Sequence, residues 1–133
     1  MTHHLHDPST LADWDRQFRD YLNEVVPWGG GSRPGWDRIP HVDVCRDPFD
    51  YEAFRETPLA GFDHAFLIRN GGLEPLFIDL PDALVHLDEL CWGSTGWNYL
   101  CGVGKTLSPE HFAEYGTTAG EDVLRVAVSD LRL

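Results

Sequence analysis

Lysine is almost absent from this chain. Lys105 stands alone, and the remaining nine of ten basic residues are arginine, against 22 carboxylates and a formal charge of −12. A surface so short of positive charge repels nucleic acid and anionic lipid, because both are bound by neutralising their phosphates. Long apolar runs are missing too. No stretch approaches the roughly 18 apolar residues that a membrane helix needs. The start, Met1-Thr2-His3-His4-Leu5-His6-Asp7-Pro8, has neither the cationic nor the apolar region of a secretory signal. Cysteine is scarce: Cys45, Cys91 and Cys101 are an odd number without Cys-x-x-Cys spacing. That excludes a disulfide framework and a cysteine-rich zinc site, and it fits a reducing compartment, the cytoplasm. Cys91 and Cys101 alone could approach each other across a loop.

Aromatic residues are plentiful. Five Trp and seven Phe within 42% apolar content supply a sizeable core, which a disordered acidic chain would lack. The 133 residues are expected to form one domain, with 1–8 as a polar tail. Ser9 is placed to cap a helix running to about Val26, in which Leu11, Trp14, Phe18, Leu22 and Val25 make an apolar stripe and Asp15 pairs with Arg19. Pro27 ends it, and a loop rich in Gly and Trp extends to Pro40. A short edge strand is expected over Val42 to Cys45. Asp47 and Pro48 then open a short helix through Phe54.

The centre of the fold is read as a hairpin. Ala65-Phe66-Leu67-Ile68 and Leu76-Phe77-Ile78 flank Asn70-Gly71-Gly72, residues that tolerate a tight turn, and Pro75 favours an edge for the second strand. A helix is expected next, from Asp79 or Asp82 to about Trp92. Its inner face is Leu84, Leu87, Leu90 and Cys91, and its outer face is Asp82, His86 and Glu89. Strands are expected over Trp97 to Val103 and Val123 to Val128, with a short helix from Ser108 to Gly116 between them. The expected fold is α+β: a mainly antiparallel sheet, a long N-terminal helix and two or three shorter ones.

No motif fixes a chemistry. Gly102-Val103-Gly104-Lys105-Thr106 imitates the end of a phosphate-binding loop, but Tyr99 stands where that loop needs its first Gly, and Pro109 obstructs the helix that should come after it. His3, His4 and His6 lack a second ligand cluster. His64 and His86 are the histidines weighed for catalysis, His64 sharing a strand face with Phe62 and Phe66 and His86 lying one helical turn after Asp82. Each is more simply a rim or surface residue than a catalytic one, and no nucleophile elbow accompanies them. No cofactor, metal or catalytic residue is assigned.

Residues 70 to 123 carry nine carboxylates, Glu74, Asp79, Asp82, Asp88, Glu89, Glu110, Glu114, Glu121 and Asp122, against Lys105 alone. Trp92 and Trp97 bound a glycine-containing loop within the same stretch. With Trp28 and Trp36, they either fold back as lids on the core or stand out as anchors for a partner. The expected contact residues are Asp79, Asp82, His86, Asp88, Glu89, Trp92 and Trp97. Asn70-Gly71-Gly72 with the Leu-rich acidic helix after it resembles a class of bacterial immunity proteins related to yeast cell-wall synthesis regulators. The likeness is confined to this turn and helix, and the order of elements departs from that pattern. Charge and aromatic content together predict a small cytoplasmic protein that neutralises a basic protein partner, as an immunity protein or a phage-encoded inhibitor does. The alternative is a small enzyme or ligand-binding domain that uses His64, His86 and carboxylates in a cleft.

Overall fold

The computed structural model describes residues 8–26, 34–46, 48–69, 73–94, 97–103, 107–116 and 123–128. Among them a six-stranded sheet is assembled from β1 (His41–Cys45), β2 (His64–Ile68), β3 (Leu76–Asp79), β4 (Trp97–Val103), β5 (Leu107–Gly116) and β6 (Val123–Ala127). The spatial order is β1-β6-β5-β4-β2-β3, and every neighbouring pair is antiparallel. Four helices accompany it: α1 (Pro8–Val25), α2 (Tyr51–Arg55), α3 (Leu80–Val85) and α4 (Leu87–Leu90). The α+β expectation holds. The expected long N-terminal helix is met in part, its packing being defined over residues 11–24. No described helix is long and apolar enough to cross a membrane.

Side chains alternate between the two faces of a strand, and here both faces are covered. Phe66, Tyr99, Cys101 and Phe112 share one core with Phe18 and Leu22 of α1, where the Phe18 and Phe66 rings stack at 4.9 Å. Ala65, Leu67, Leu100 and Tyr115 share the other with α2, α3 and α4. Double coverage explains why β2 is apolar at nearly every position instead of alternating. The α1 stripe is as expected at Leu11, Trp14, Phe18 and Leu22, and Arg19 Nε lies 3.0 Å from Asp15 Oδ2. The helix begins at Pro8, one residue before the expected cap, and the missing N–H of proline is harmless in a first turn. The side chain of Val25 and the turn at Asn70 to Gly72 lie outside the described residues.

The strands of the expected hairpin do pair, with Phe66 opposite Phe77. They sit at one end of the sheet and not at its centre, and β3, which comes after Pro75, is the edge strand. Asp50, not Asp47, caps α2: its Oδ1 accepts from Ala53 N at 3.1 Å. The single helix expected up to Trp92 is interrupted at His86, which divides α3 from α4. Its register survives the break, because His86 N still donates to Asp82 O and Leu90 N to His86 O. Leu84, Leu87, Leu90 and Cys91 are therefore buried together, as expected.

The helix expected from Ser108 to Gly116 is wrong. That segment is β5, a central strand paired with β4 and β6. Phe112 enters one core and Ala113 and Tyr115 the other, so burial on two faces overrides the local helix-start signal. The β4–β5 ladder passes from Cys101 opposite Phe112 directly to Gly102 opposite Ser108. Residues 109–111 thus bulge out of the pairing, which suits Pro109 because it has no N–H to donate. The element after β4 is consequently a strand, and the helix a phosphate-binding loop requires is not there. A Cβ at Gly102 would come within 2.7 Å of the Phe62 ring, so glycine lets Phe62 pack flat on the sheet.

Candidate functional site

Among the described residues, the feature best suited to hold another molecule is a groove of about 700 Å³ on the α2–α4 side. One wall is α2 and the 3-10 turn Pro58–Gly61; the other is α3. The first wall is fixed by the Asp50 cap and by Thr57, whose hydroxyl donates to Phe54 O at 2.7 Å. The second begins where β3 ends, with Pro81 in the first turn of α3. Leu80 N donates to Asp63 O at 2.9 Å and so ties the walls together at one end. Phe54, Phe62, Leu80 and Leu84 give the groove an apolar interior, while Tyr51 and Val85 stand exposed on its lips.

The tied end is acidic. His64 and Asp79 are register partners on β2 and β3, with His64 Nε2 3.2 Å from Asp79 Oδ1. The imidazole also stacks on Phe77 at 5.4 Å. Asp63 precedes this pair, and Asp82 lies one helical turn beyond Asp79, so three carboxylates line the same end. Among the described lining residues Arg55 is the cation, at the exposed end of α2. Among the described residues that line the groove there is no serine, threonine, cysteine or lysine, the side chains that acyl-transfer catalysis uses beside a His–Asp pair. Among the described residues no three His, Cys, Asp or Glu side chains converge as a metal site would.

A second hollow, of about 150 Å³, adjoins the first and shares Tyr51, Leu84 and Val85 with it. Asp88 forms its far side. The carboxylate accepts from the Tyr115 hydroxyl and from Arg46 Nη1 at 2.9 Å, and the Arg46 guanidinium lies 4.1 Å above the Tyr115 ring. The hydrogen bond from Tyr115, aided by Arg46, holds the Asp88 carboxyl below the usual carboxylate range. Burial, then the bond to Asp88, pushes the Tyr115 phenol above the usual tyrosine range.

The two shifts bound a pH window. A depressed carboxyl contributes stability above its unfolded value and loses it as pH falls through the folded one. A raised phenol contributes fully below its unfolded value and loses it as pH climbs beyond. Tyr115→Phe is therefore expected to cost about 1 kcal/mol at neutral pH, at the low end for a bond to a charged group because Asp88 is largely solvated. It should also flatten the loss of stability in acid. Urea unfolding from acid to neutral pH tests this; parallel curves for the two proteins would assign the acid sensitivity elsewhere.

The structure separates the expected contact residues. Asp79 and Asp82 line the large groove and Asp88 the small one. His86 and Glu89 pair with each other at 3.5 Å at the break between α3 and α4, Glu89 exposed and His86 and Asp82 half-buried. Trp92 is 84% exposed, whereas Trp97 packs against the α1 core on the opposite face of the sheet. The two tryptophans do not form one surface. Trp36 is also half-buried in the α1 core, and Trp28 lies outside the described residues. His64 shares the α1 side with Phe66, but Phe62 packs on the other core. Cys91 and Cys101 are buried in different cores, so the sheet separates them; burial pushes the Cys91 thiol up to about 12 and raises Cys101 further.

The acidic face is thinner than its composition implies. Glu114 is 2% exposed, inside the α1 core, where Trp36 Nε1 donates to its Oε1 at 3.0 Å and Arg125 Nη1 stands 3.7 Å away. Arg125 reaches Asp43 as well, at 3.4 Å. The side chains of Glu110, Glu121 and Asp122 lie outside the described residues. Asp63, Tyr51 and Val85 are not among the sequence candidates, because Tyr51 and Val85 carry no charge and Asp63 lies outside the carboxylate-rich stretch from 70 to 123. Only the folding of α2 against α3 makes them neighbours. Comparison with known proteins gives no match: no family model, no curated protein and no solved structure resembles the chain.

Proposed function

We propose that this protein is a small acidic binding protein that neutralises a basic partner in the cytoplasm, as an immunity protein or a phage-encoded inhibitor neutralises a toxin. The observation that carries the reading is the groove between α2 and α3, whose apolar interior opens beside Asp63, Asp79 and Asp82 with Tyr51 and Val85 exposed on its lips. The net charge of −12 steers a basic surface toward the protein. Apolar contact in the groove and at Trp92, a few residues along the chain from α3, then slows dissociation.

A second reading has one observation in its favour. His64 and Asp79 meet in the groove, as a small ligand-binding domain or enzyme would arrange a proton-accepting pair. Retention experiments with the immobilised protein and lysate of its native host, washed at low and then high salt, separate the two. A basic protein held at low salt and released at high salt supports neutralisation. Retention of neutral or acidic proteins, indifferent to salt, would refute it.

A further inference from the structure

We infer that the groove between α2 and α3 recognises an arginine side chain presented by a segment of its partner. This inference rests on the binding reading above and names the group that is read. Three properties of the groove select it. First, the interior is apolar over most of its length, with Phe54, Phe62, Leu80 and Leu84 as walls, so the entering group must carry a hydrocarbon stem. Second, charge is gathered at one end. The hydrogen bond from Leu80 N to Asp63 O and the pairing of His64 with Asp79 hold Asp63, Asp79 and Asp82 around the junction of β2, β3 and α3. Among the described lining residues, three carboxylates stand against the single guanidinium of Arg55. An apolar stem with a cationic head is an arginine or a lysine. Third, the walls include the rings of Phe54, Phe62 and Tyr51. Aromatic faces and several carboxylates suit a flat, weakly hydrated guanidinium with five donors, which stacks and bonds to carboxylates side-on, better than a compact and strongly hydrated ammonium.

The geometry extends to the flanks of the segment. Tyr51 and Val85, exposed on the lips, offer apolar contact to residues beside the arginine. The favoured segment is thus an arginine with apolar neighbours, not a run of basic residues. Such a segment tolerates salt better than a purely electrostatic contact would.

The probe is a blocked pentapeptide with one central arginine between apolar residues, titrated into the full chain and followed by amide chemical shifts. Saturable shifts confined to residues of α2, α3 and the Asp63–His64 junction are expected. Replacing the arginine by citrulline, which keeps shape and removes charge, should weaken binding by about tenfold or more, as loss of a charge-assisted hydrogen bond implies. Lysine should fall between them. Because the peptide changes and the protein does not, misfolding cannot imitate this result. On the protein side, Asp63→Asn with Asp82→Asn should weaken the arginine peptide and leave the citrulline peptide unaffected. Asp20→Asn, on the exposed side of α1 across the sheet, should alter neither. Equal affinity for arginine and citrulline peptides, shifts mapped outside the groove, or no shifts at millimolar peptide would overturn the inference. A native partner whose salt-sensitive binding ignores the Asn variants would overturn it too while leaving neutralisation intact. Failure to find any basic partner would remove the neutralisation reading while the peptide titration still decided the groove.

Discussion

Leu87→Ala is expected to lower stability by about 2–5 kcal/mol, while Glu89→Ala changes it by less than about 0.5 kcal/mol. Leu87 opens α4 directly after the break at His86, and it is 3% exposed among residues from α2, α3 and the sheet. Truncation removes its transfer free energy and leaves a cavity that the sheet beneath cannot collapse to fill. Glu89 is two residues away with most of its surface in water, and its contact with His86 is a solvated pair of the kind that contributes little. The contrast isolates helical register. Denaturant unfolding of both variants measures it, and a cost below about 1 kcal/mol for Leu87→Ala would mean that α4 presents a different face to the core.

This register was visible in the sequence because Leu84, Leu87 and Leu90 repeat at helical spacing. The break at His86 was not, since the hydrogen bonds on either side of it preserve the pattern that spacing reports. β2 and β3 were found from their apolar runs, and the edge position of β3 from Pro75. β5 was lost for a definite reason. Ser108-Pro109 reads locally as a helix start, whereas the burial of Phe112 to Tyr115 on two faces is decided by strands distant in sequence. Glu114 shows the same limit for charge. Counting carboxylates assumes that each is solvated, but Glu114 is enclosed by Trp36 and Arg125, partners 78 and 11 residues away that no local pattern connects.

The candidate site was legible only in part. Asp79 and Asp82 stood out through the acidic excess of their segment, and both line the groove. Asp63, Tyr51 and Phe62 come from separate segments that the Leu80 N to Asp63 O bond and the packing of α2 bring alongside. Trp97 was grouped with Trp92 by proximity in the chain, and the strand that begins at Trp97 carries it to the opposite face. Asp88 also changes meaning. It is an acceptor for Arg46 and Tyr115 at the edge of the fold, so substitution there disturbs structure along with charge.

The reversal that probes steering cleanly is therefore Asp63, Asp82 and Glu89 to Lys, with Asp88 left in place. Each reversal moves the formal charge by two, so the triple variant carries half of the native −12. Steering raises association rates by about 10- to 1000-fold at low ionic strength, and removing the field beside the groove should forfeit at least the first factor of ten. The slope of rate against salt should flatten in parallel, with only a small fall in melting temperature, because Asp63 and Glu89 are exposed charges that add little stability and Asp82 is half-buried. Trp92→Ala is the complementary control: it should leave association alone and hasten dissociation if the exposed indole is an anchor. Stopped-flow association of the wild type and the triple variant with the basic partner, across a salt series, is the most direct measurement of neutralisation through this face. A tenfold or greater slowing at low salt that vanishes at high salt is predicted, and equal rates for the two proteins at low salt would contradict it.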